Sequence, residues 1–309
     1  MLLPSLYSQA GWFWSLLLFS LGGRGKETEA NGLSLRMRTK EGIILFWSGL
    51  LVALLYSEVV RWLFSAWLYN PYYSHGLLLL LVGPMLIYLK RGEIYHQEPA
   101  NWHILPLGVG FFLYLLGILW HYPMLLAFSL LLVLAGLALV FLGEGAKPVL
   151  FPIFLFATAI PLPFLDSVAI PLQYLSASSV SAMFRFLGMG VSMTGNNVSL
   201  AGNTYWIAPA CSGLNRLMPL LGLTAIIAYL LHGSPLARIG LLALVIPLAL
   251  ASNIFRLFVT VLIGDWYGIE AALGFFHTVS SLLFFFFALA LIFAFTRIFK
   301  LRMPVPASV

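Results

Sequence analysis

Charged side chains are scarce in this sequence. They make up 8% of the 309 residues, whereas hydrophobic residues make up 61%. A soluble globule of this length needs far more polar residues to cover its surface, so the composition excludes a soluble protein and predicts an integral membrane protein. The net charge of +6 does not indicate nucleic-acid binding, because the basic residues form short clusters between apolar runs.

Cysteine is almost absent, since Cys211 is the only one in the chain. An intramolecular disulfide is therefore excluded, and a zinc or iron–sulfur site would lack the further thiolates that it usually uses. Two roles remain for Cys211, as a structural residue or as a nucleophile.

The apolar residues are grouped into segments close to the length of a membrane-spanning helix. The sequence predicts an all-α membrane protein, a polytopic bundle of about eight transmembrane helices with a short extended periplasmic flap. The expected spans are 43–66, 75–90, 104–120, 123–142, 149–165, 211–231, 239–263 and 274–295.

Outside the bundle, the chain divides into two short pieces. Residues 1–40 form an N-terminal extension whose apolar run, 10–21, is too short to span a bilayer. This extension is either interfacial or not translated, with Met37 as the alternative start to Met1. Residues 41–297 form the transmembrane domain, and residues 298–309 form a cytoplasmic tail.

Basic residues predict the orientation, because short cytoplasmic loops are enriched in Lys and Arg. The loops on the opposite side contain only Arg185, while Arg61, Arg216 and Arg256 lie within spans. Both termini are therefore predicted to be cytoplasmic, and Cys211 to open its helix at the periplasmic face of a bacterial inner membrane. Twelve basic residues fall on the cytoplasmic side: Arg24, Lys26, Arg36, Arg38, Lys40, Lys90, Arg91, Lys147, Arg238, Arg297, Lys300 and Arg302.

The long outer segment from Asp166 to Ala210 has two parts. Residues 167–188 have apolar side chains at helical spacing and are expected to lie along the membrane surface. Residues 189–207 alternate and contain Gly-Asn turn signals, which predicts the extended flap.

Arg256 lies deep within the span at 239–263, where an arginine is costly unless it faces the bundle interior and has a partner. Asn253 and Thr260 are three residues before it and four after it, so all three share one helix face. Both a packing role and a functional role are open to Arg256, and the functional one is favoured.

His277 begins the last span, at the same outer level as Cys211. A thiol nucleophile, an imidazole that moves protons and a cation that stabilises an oxyanion are the groups that acyl transfer from a peptide requires. We therefore take Cys211, Arg256 and His277 as catalytic candidates. Arg216 is a second candidate cation, ranked lower because five residues from Cys211 rotate it about 140° around a helix.

Histidines also suggest a metal or haem site, with His75 and His121 joining His277 on the outer side. No pair has the i, i+4 spacing of helical ligands and no carboxylate accompanies them within a span, so no metal or organic cofactor is expected. His75 is kept as a secondary candidate. His96, His103 and His232 are interpreted as loop histidines on the cytoplasmic side.

Four stretches together resemble the exosortase/archaeosortase family of membrane cysteine transpeptidases. The resemblance covers about residues 40–297, and its order of Cys, Arg and His is that of exosortases. The stretches are Tyr73-Ser74-His75-Gly76, Ala210-Cys211-Ser212-Gly213-Leu214, Asn253-Ile254-Phe255-Arg256 and Gly274-Phe275-Phe276-His277.

This resemblance implies a protease and transpeptidase that cleaves C-terminal sorting signals of exported proteins at the outer face. The signal would be a Pro-Glu-Pro-type motif, a membrane helix and a basic tail. Cys211 would be the nucleophile of a thioester acyl-enzyme, Arg256 its electrostatic partner and His277 the acid/base. The final acyl acceptor stays open between water, a lipid and another amine, and the role of Tyr73–Gly76 stays open too. Asn215 stands where many relatives have arginine, which leaves the second cation open.

Two other functions are compatible with the composition. In a transporter or channel, Arg256 and the outer histidines would line a polar pathway, although the two halves of the chain show no convincing internal symmetry. A non-catalytic assembly factor would have the same fold but no enzymatic activity. Membrane lipids and tailed exported proteins are the expected partners.

Overall fold

The structure of the chain, a computed structural model, describes residues 39–302. The apolar run at 10–21 and the alternative start at Met37 lie outside this range. Within it the chain folds into eleven α-helices joined by short 3-10 turns and one small sheet: α1 (Thr39–Leu55), α2 (Ser57–Tyr69), α3 (His75–Leu89), α4 (Leu105–Leu119), α5 (Pro123–Leu142), α6 (Lys147–Leu155), α7 (Leu165–Phe186), α8 (Leu214–Leu230), α9 (Pro235–Tyr267), α10 (Ile269–Leu273) and α11 (Phe275–Ile298).

Fewer helices are long enough to cross a membrane than the eight that the sequence predicts. Among the described residues, three helical stretches meet that condition by length and composition: Asn101–Leu119, Pro123–Ala159 and Pro235–Tyr267. A fourth is added if α1 and α2 count as one span, but a bend of 62° separates them. The prediction of a helical membrane protein is confirmed, and that of eight full spans is not.

The shortfall has physical causes in the chain. The 15-residue α3 is about 22 Å long and the 17-residue α8 about 25 Å, both shorter than a hydrocarbon core of about 30 Å. The segment predicted at 149–165 is helical only to Leu155, continues as a 3-10 turn to Ala159 and then meets Pro161 and Pro163, which cannot donate the hydrogen bonds of a helix.

The outer segment has the predicted order of a helix followed by strands. Buried residues of α7 recur at helical spacing, among them Ala169, Gln173, Ala177 and Phe184. The flap (residues 189–207) contains three antiparallel strands in the order β1-β2-β3: β1 (Val191–Thr194), β2 (Asn197–Leu200) and β3 (Asn203–Trp206).

The flap packs on two helices rather than standing apart from the bundle. Val198 and Tyr205 join a buried cluster with Phe184 of α7 and Phe258 of α9. Gly264 of α9 meets the Tyr205 ring so closely that a Cβ there would lie 2.7 Å from the ring. The flap is therefore fixed to α7 and α9 by close packing.

Contacts between the ends of the helices identify two opposite ends of the bundle. The turn after α2, the segment before α7 and the turn before α8 meet at one end, which we call the site end and define by residues 70–74, 160–166 and 209–213. At the opposite end, Tyr229 of α8 donates to the carbonyl of Pro148 over 3.3 Å, and His232 pairs with Arg302. Lys147 and Arg238 begin helices at that opposite end.

The sequence suggested that His103 is a loop histidine, but the structure shows a different environment. It lies in a 3-10 turn, Asn101–Ile104, directly before α4 and is 1% exposed. Its Nδ1 accepts the backbone N–H of Ala100 over 3.0 Å, and its Nε2 donates to Glu144 over 3.3 Å. This side chain therefore caps the 3-10 turn that precedes α4 and ties it to the turn that follows α5.

Candidate active site

Cys211 ends a 3-10 turn, Pro209–Cys211, and lies three residues before α8 rather than within it. Its N–H donates to the carbonyl of Ala208 over 2.8 Å, and the residue is half-buried with a free thiol. Gly213 then adopts φ +95°, a conformation that other residues rarely adopt. The turn therefore presents Cys211 ahead of the first helical residue.

Asn253 of α9 connects this turn to the buried arginine. Its Nδ2 donates to the carbonyl oxygen of Cys211 over 2.7 Å, and the side chain is fully buried. Gly213 makes that contact possible, because a Cβ on it would lie 3.4 Å from the Asn253 Cβ. The Cys-Ser-Gly and Asn-x-x-Arg stretches therefore form one site.

Two guanidinium groups share the side-chain oxygen of Asn253. Nη1 of Arg216 donates to this Oδ1 over 2.7 Å, and Nη2 of Arg256 donates to it over 3.3 Å. Arg216 is close enough to Arg256 and to Cys211 to interact electrostatically with both. The site thus places two positive charges beside the cysteine.

Arg216 was ranked below Arg256 on the assumption that Cys211 and Arg216 belong to one continuous helix. That assumption is wrong, because α8 begins only at Leu214. The 3-10 turn and the positive φ of Gly213 change the direction of the chain between the two residues. Arg216 lies in the same hydrogen-bonded group as Arg256.

The predicted polar face of α9 is confirmed. Asn253, Arg256 and Thr260 are all buried, with Arg256 only 1% exposed. The Thr260 hydroxyl donates to the Arg256 carbonyl over 2.8 Å. The Arg256 side chain, the largest fully buried one among the described residues, is therefore held inside the protein and not against lipid.

His277 is the third residue of α11, and its side chain lies outside the described part of the structure. The backbone register still gives its level, because Ser252 Oγ of α9 donates to the Phe284 carbonyl of α11 over 2.9 Å. Each helical residue adds about 1.5 Å along the axis, and the two helices run antiparallel from that contact. His277 therefore lies roughly 4–5 Å farther toward the site end than Arg256. Ser280, which is buried, is level with Arg256.

Tyr72 and Ser212 are functional candidates that the sequence did not single out. Ser212 is fully buried next to Cys211, and its hydroxyl lies near that of Tyr72. Burial raises the pKa of Tyr72, and the nearby Asp166 raises it further, while the nearby Ser212 hydroxyl lowers it. The Tyr72 hydroxyl is therefore neutral at physiological pH and lies beside the Cys211 turn.

The Tyr73–Gly76 stretch anchors the segment before α7. The Tyr73 hydroxyl accepts the N–H of Leu162 over 2.7 Å, and His75 Nε2 donates to the carbonyl of Thr158 over 3.2 Å. Trp67 adds a 2.9 Å bond to the Ala159 carbonyl. His75 itself bonds to Thr158, so the structure gives it a scaffold position against the segment before α7.

Comparisons with known proteins agree with this arrangement at the level of the family. A family model described as Transmembrane exosortase (Exosortase_EpsH) matches residues 67–294, which contain every candidate site residue named above. No curated protein and no solved structure shows a significant match to the chain. Because the matched range takes in most of the chain, this protein belongs to the transmembrane exosortase family.

Proposed function

We propose that this protein is a membrane cysteine protease and transpeptidase that cleaves C-terminal sorting signals of exported proteins. The observation that carries the proposal is the shared contact of Asn253, which holds the Cys211 carbonyl on one side and Arg216 and Arg256 on the other. A packing role for Arg256 alone gives no reason for this link to a lone cysteine. Family membership supports a transpeptidase role in general.

The proposed reaction begins when the Cys211 sulfur attacks the scissile carbonyl carbon. Two nearby guanidinium groups stabilise the oxyanion that forms as the S–C bond is made. Arg256, fixed by Asn253 and buried, is assigned to the oxyanion, and Arg216 is the second cation. Their charges act strongly because the site is largely removed from water.

His277 is proposed to move the proton. It takes the thiol proton during attack and gives it to the amine nitrogen as the C–N bond breaks, which releases the tail peptide and leaves a thioester on Cys211. Water or an amine then attacks the thioester carbonyl, transfers its proton to His277 and restores the thiol. Hydrolysis gives a carboxylate, and aminolysis gives a new amide.

The site end is proposed to face the periplasm of a bacterial inner membrane. Lys147, Arg238 and Arg302 lie at the opposite end of the bundle, which supports a cytoplasmic location for that end under the distribution rule for basic residues.

Co-expression with a tailed reporter tests this function. The reporter is an exported protein that ends in a Pro-Glu-Pro-type motif, one membrane span and an Arg-rich tail. We expect the wild type to shorten the reporter and to yield a hydroxylamine-sensitive adduct between reporter and enzyme. Cys211→Ala should remove both products at unchanged abundance in the membrane. Normal shortening by Cys211→Ala would overturn the proposal.

A further inference from the structure

A surface groove runs along the site end, beside the Cys211 turn. It has two sections of about 310 and 280 Å³, which share Trp62, Asn70 and Pro161. Ligand pockets are typically about 300–1,000 Å³, so the joined sections suit a ligand of several residues. The second section also includes Tyr72, Tyr122 and Asp166.

The groove reaches the catalytic candidates through one side chain. Tyr72 lines its second section, and the Tyr72 hydroxyl lies near that of Ser212, the residue after Cys211. A chain that lies in the groove and passes Tyr72 therefore approaches the nucleophile.

The walls of the groove are held in place before any ligand binds. Pro161 lies between residues that are anchored by Trp67 and Tyr73 through bonds to Ala159 and Leu162. Asn70 accepts the backbone N–H of Tyr72 through Oδ1 over 3.0 Å, so its NH₂ group can donate to a peptide carbonyl. A preformed groove lowers the entropy cost of binding an extended chain.

The lining indicates the class of ligand. Tryptophan, tyrosine and proline walls pack well against extended peptide segments. Among the residues that line the groove, Asp166 is the one with a charged side chain, and it is exposed. A carboxylate disfavours a lipid phosphate or an acidic side chain and favours a basic one.

We propose that this groove binds the extended segment of the substrate that precedes the cleavage site, and that Asp166 selects a basic and rejects an acidic side chain in that segment. The inference rests on the proposed protease function, because it assigns the acyl part of the substrate to the groove. The same contacts then hold the acyl chain in place until an acceptor attacks the thioester.

A charge-exchange experiment on the reporter tests the groove. Single Lys and single Glu substitutions are scanned through the residues before the motif, about eight positions or roughly 26 Å of extended chain. At one or two adjacent positions, the wild type should process the Lys form about fivefold faster than the Glu form, a size expected for an exposed charge pair. Asp166→Asn should abolish this ratio and Asp166→Lys should invert it.

Glu270→Lys is the matched control, because Glu270 is another exposed carboxylate near α11 but does not line the groove. It should leave the Lys-to-Glu ratio as in the wild type. If the wild type processes the reporter but Asp166→Lys leaves the ratio unchanged at every position, the groove assignment is wrong while the protease function stands. If the wild type neither processes the reporter nor forms the thioester, the function fails and the groove assignment with it.

Photocrosslinking gives a second readout that needs no turnover. p-Benzoylphenylalanine in place of Tyr122, in the Cys211→Ala background, should crosslink to the reporter segment before the motif. The same residue in place of Tyr174, which is exposed on α7 but does not line the groove, should not. Crosslinks from position 122 to lipid alone would overturn the assignment.

Discussion

Asn253 donates a 2.7 Å hydrogen bond to the main-chain carbonyl of Cys211, although 42 positions separate the two residues in the sequence. The same side chain accepts from Arg216 and Arg256. The position of the nucleophile and the positions of both cations are therefore set by one buried amide, and substitutions of that amide separate the two effects.

Asn253→Asp retains the oxygen that binds the arginines but replaces the donor to Cys211 with an acceptor. The loss of a buried hydrogen bond costs about 1–3 kcal/mol, so we expect a decrease in processing of about 5- to 150-fold at near-normal abundance. Reporter processing per molecule of membrane-inserted enzyme measures this.

Ser252→Ala is the control for Asn253, because Ser252 is buried on the same helix and bonds to α11 instead of the cysteine turn. It should lower the melting temperature without lowering processing per folded molecule. Equal processing by Asn253→Asp and the wild type would show that the Cys211 contact has no catalytic effect.

Arg256→Lys distinguishes catalysis from packing. Lysine keeps a charge but loses the planar donor pair, and loss of one oxyanion donor typically costs about 100-fold or more in rate. We expect a folded, abundant and inactive protein that resembles Cys211→Ala, and the same for His277→Ala. A packing role would instead reduce processing only in proportion to the amount of protein in the membrane.

Tyr72→Phe removes the hydroxyl that lies near Ser212 and leaves the ring in place. We expect processing to decrease about fivefold with an unchanged melting temperature, the effect of about 1 kcal/mol from one polar contact. Because the pKa of Tyr72 is raised, its hydroxyl stays protonated up to about pH 9, and the ratio of wild-type to variant activity should be constant from about pH 6 to that value.

Tyr73→Phe provides the contrast, since the Tyr73 hydroxyl bonds to the backbone of Leu162 and not to the cysteine turn. This variant should lose thermal stability and retain processing per folded molecule. A decrease in turnover as large as that of Tyr72→Phe would contradict the separate roles of the two tyrosines.

His103→Leu should destabilise the fold without affecting the chemistry. It leaves the Ala100 N–H without its described acceptor and removes one of the two described partners of the Glu144 carboxylate, the other being Lys147, a change worth about 1–3 kcal/mol. Thermal unfolding in detergent should show a clear decrease, whereas His96→Leu, on an exposed histidine, should show a small one. An unchanged melting temperature for His103→Leu would contradict the capping role.

Labelling of Cys211 tests the orientation, because no other cysteine contributes background. A membrane-impermeant thiol reagent should modify the half-buried Cys211 from the periplasmic side of intact cells. Modification only after the cytoplasmic face is opened would reverse the proposed topology, and absence of modification from either side would mean that the thiol is covered.

Local patterns in the sequence predicted local features well. The i, i+3 and i+7 spacing of Asn253, Arg256 and Thr260 identified a buried polar face, and the Gly-Asn pairs identified the flap turns. The approach of Tyr72 to Ser212 and the bond from Asn253 to Cys211 were not predicted, because they join distant segments whose approach depends on packing of the whole bundle. The bend at Tyr56 was missed because neither Pro nor Gly marks it, although the polar Ser57 and Glu58 follow it directly.

The contact between Tyr205 and the bare backbone of Gly264 has a kinetic consequence. Gly264 lies eight residues after Arg256 on α9, and the ring leaves no space there even for a methyl group. The flap is therefore packed directly on the helix that carries the arginine, and a hinged opening of the flap would have to break this contact or tilt α9 as well. We expect turnover without a separate lid-opening phase, so the approach to steady state after mixing should be free of a lag that depends on solvent viscosity.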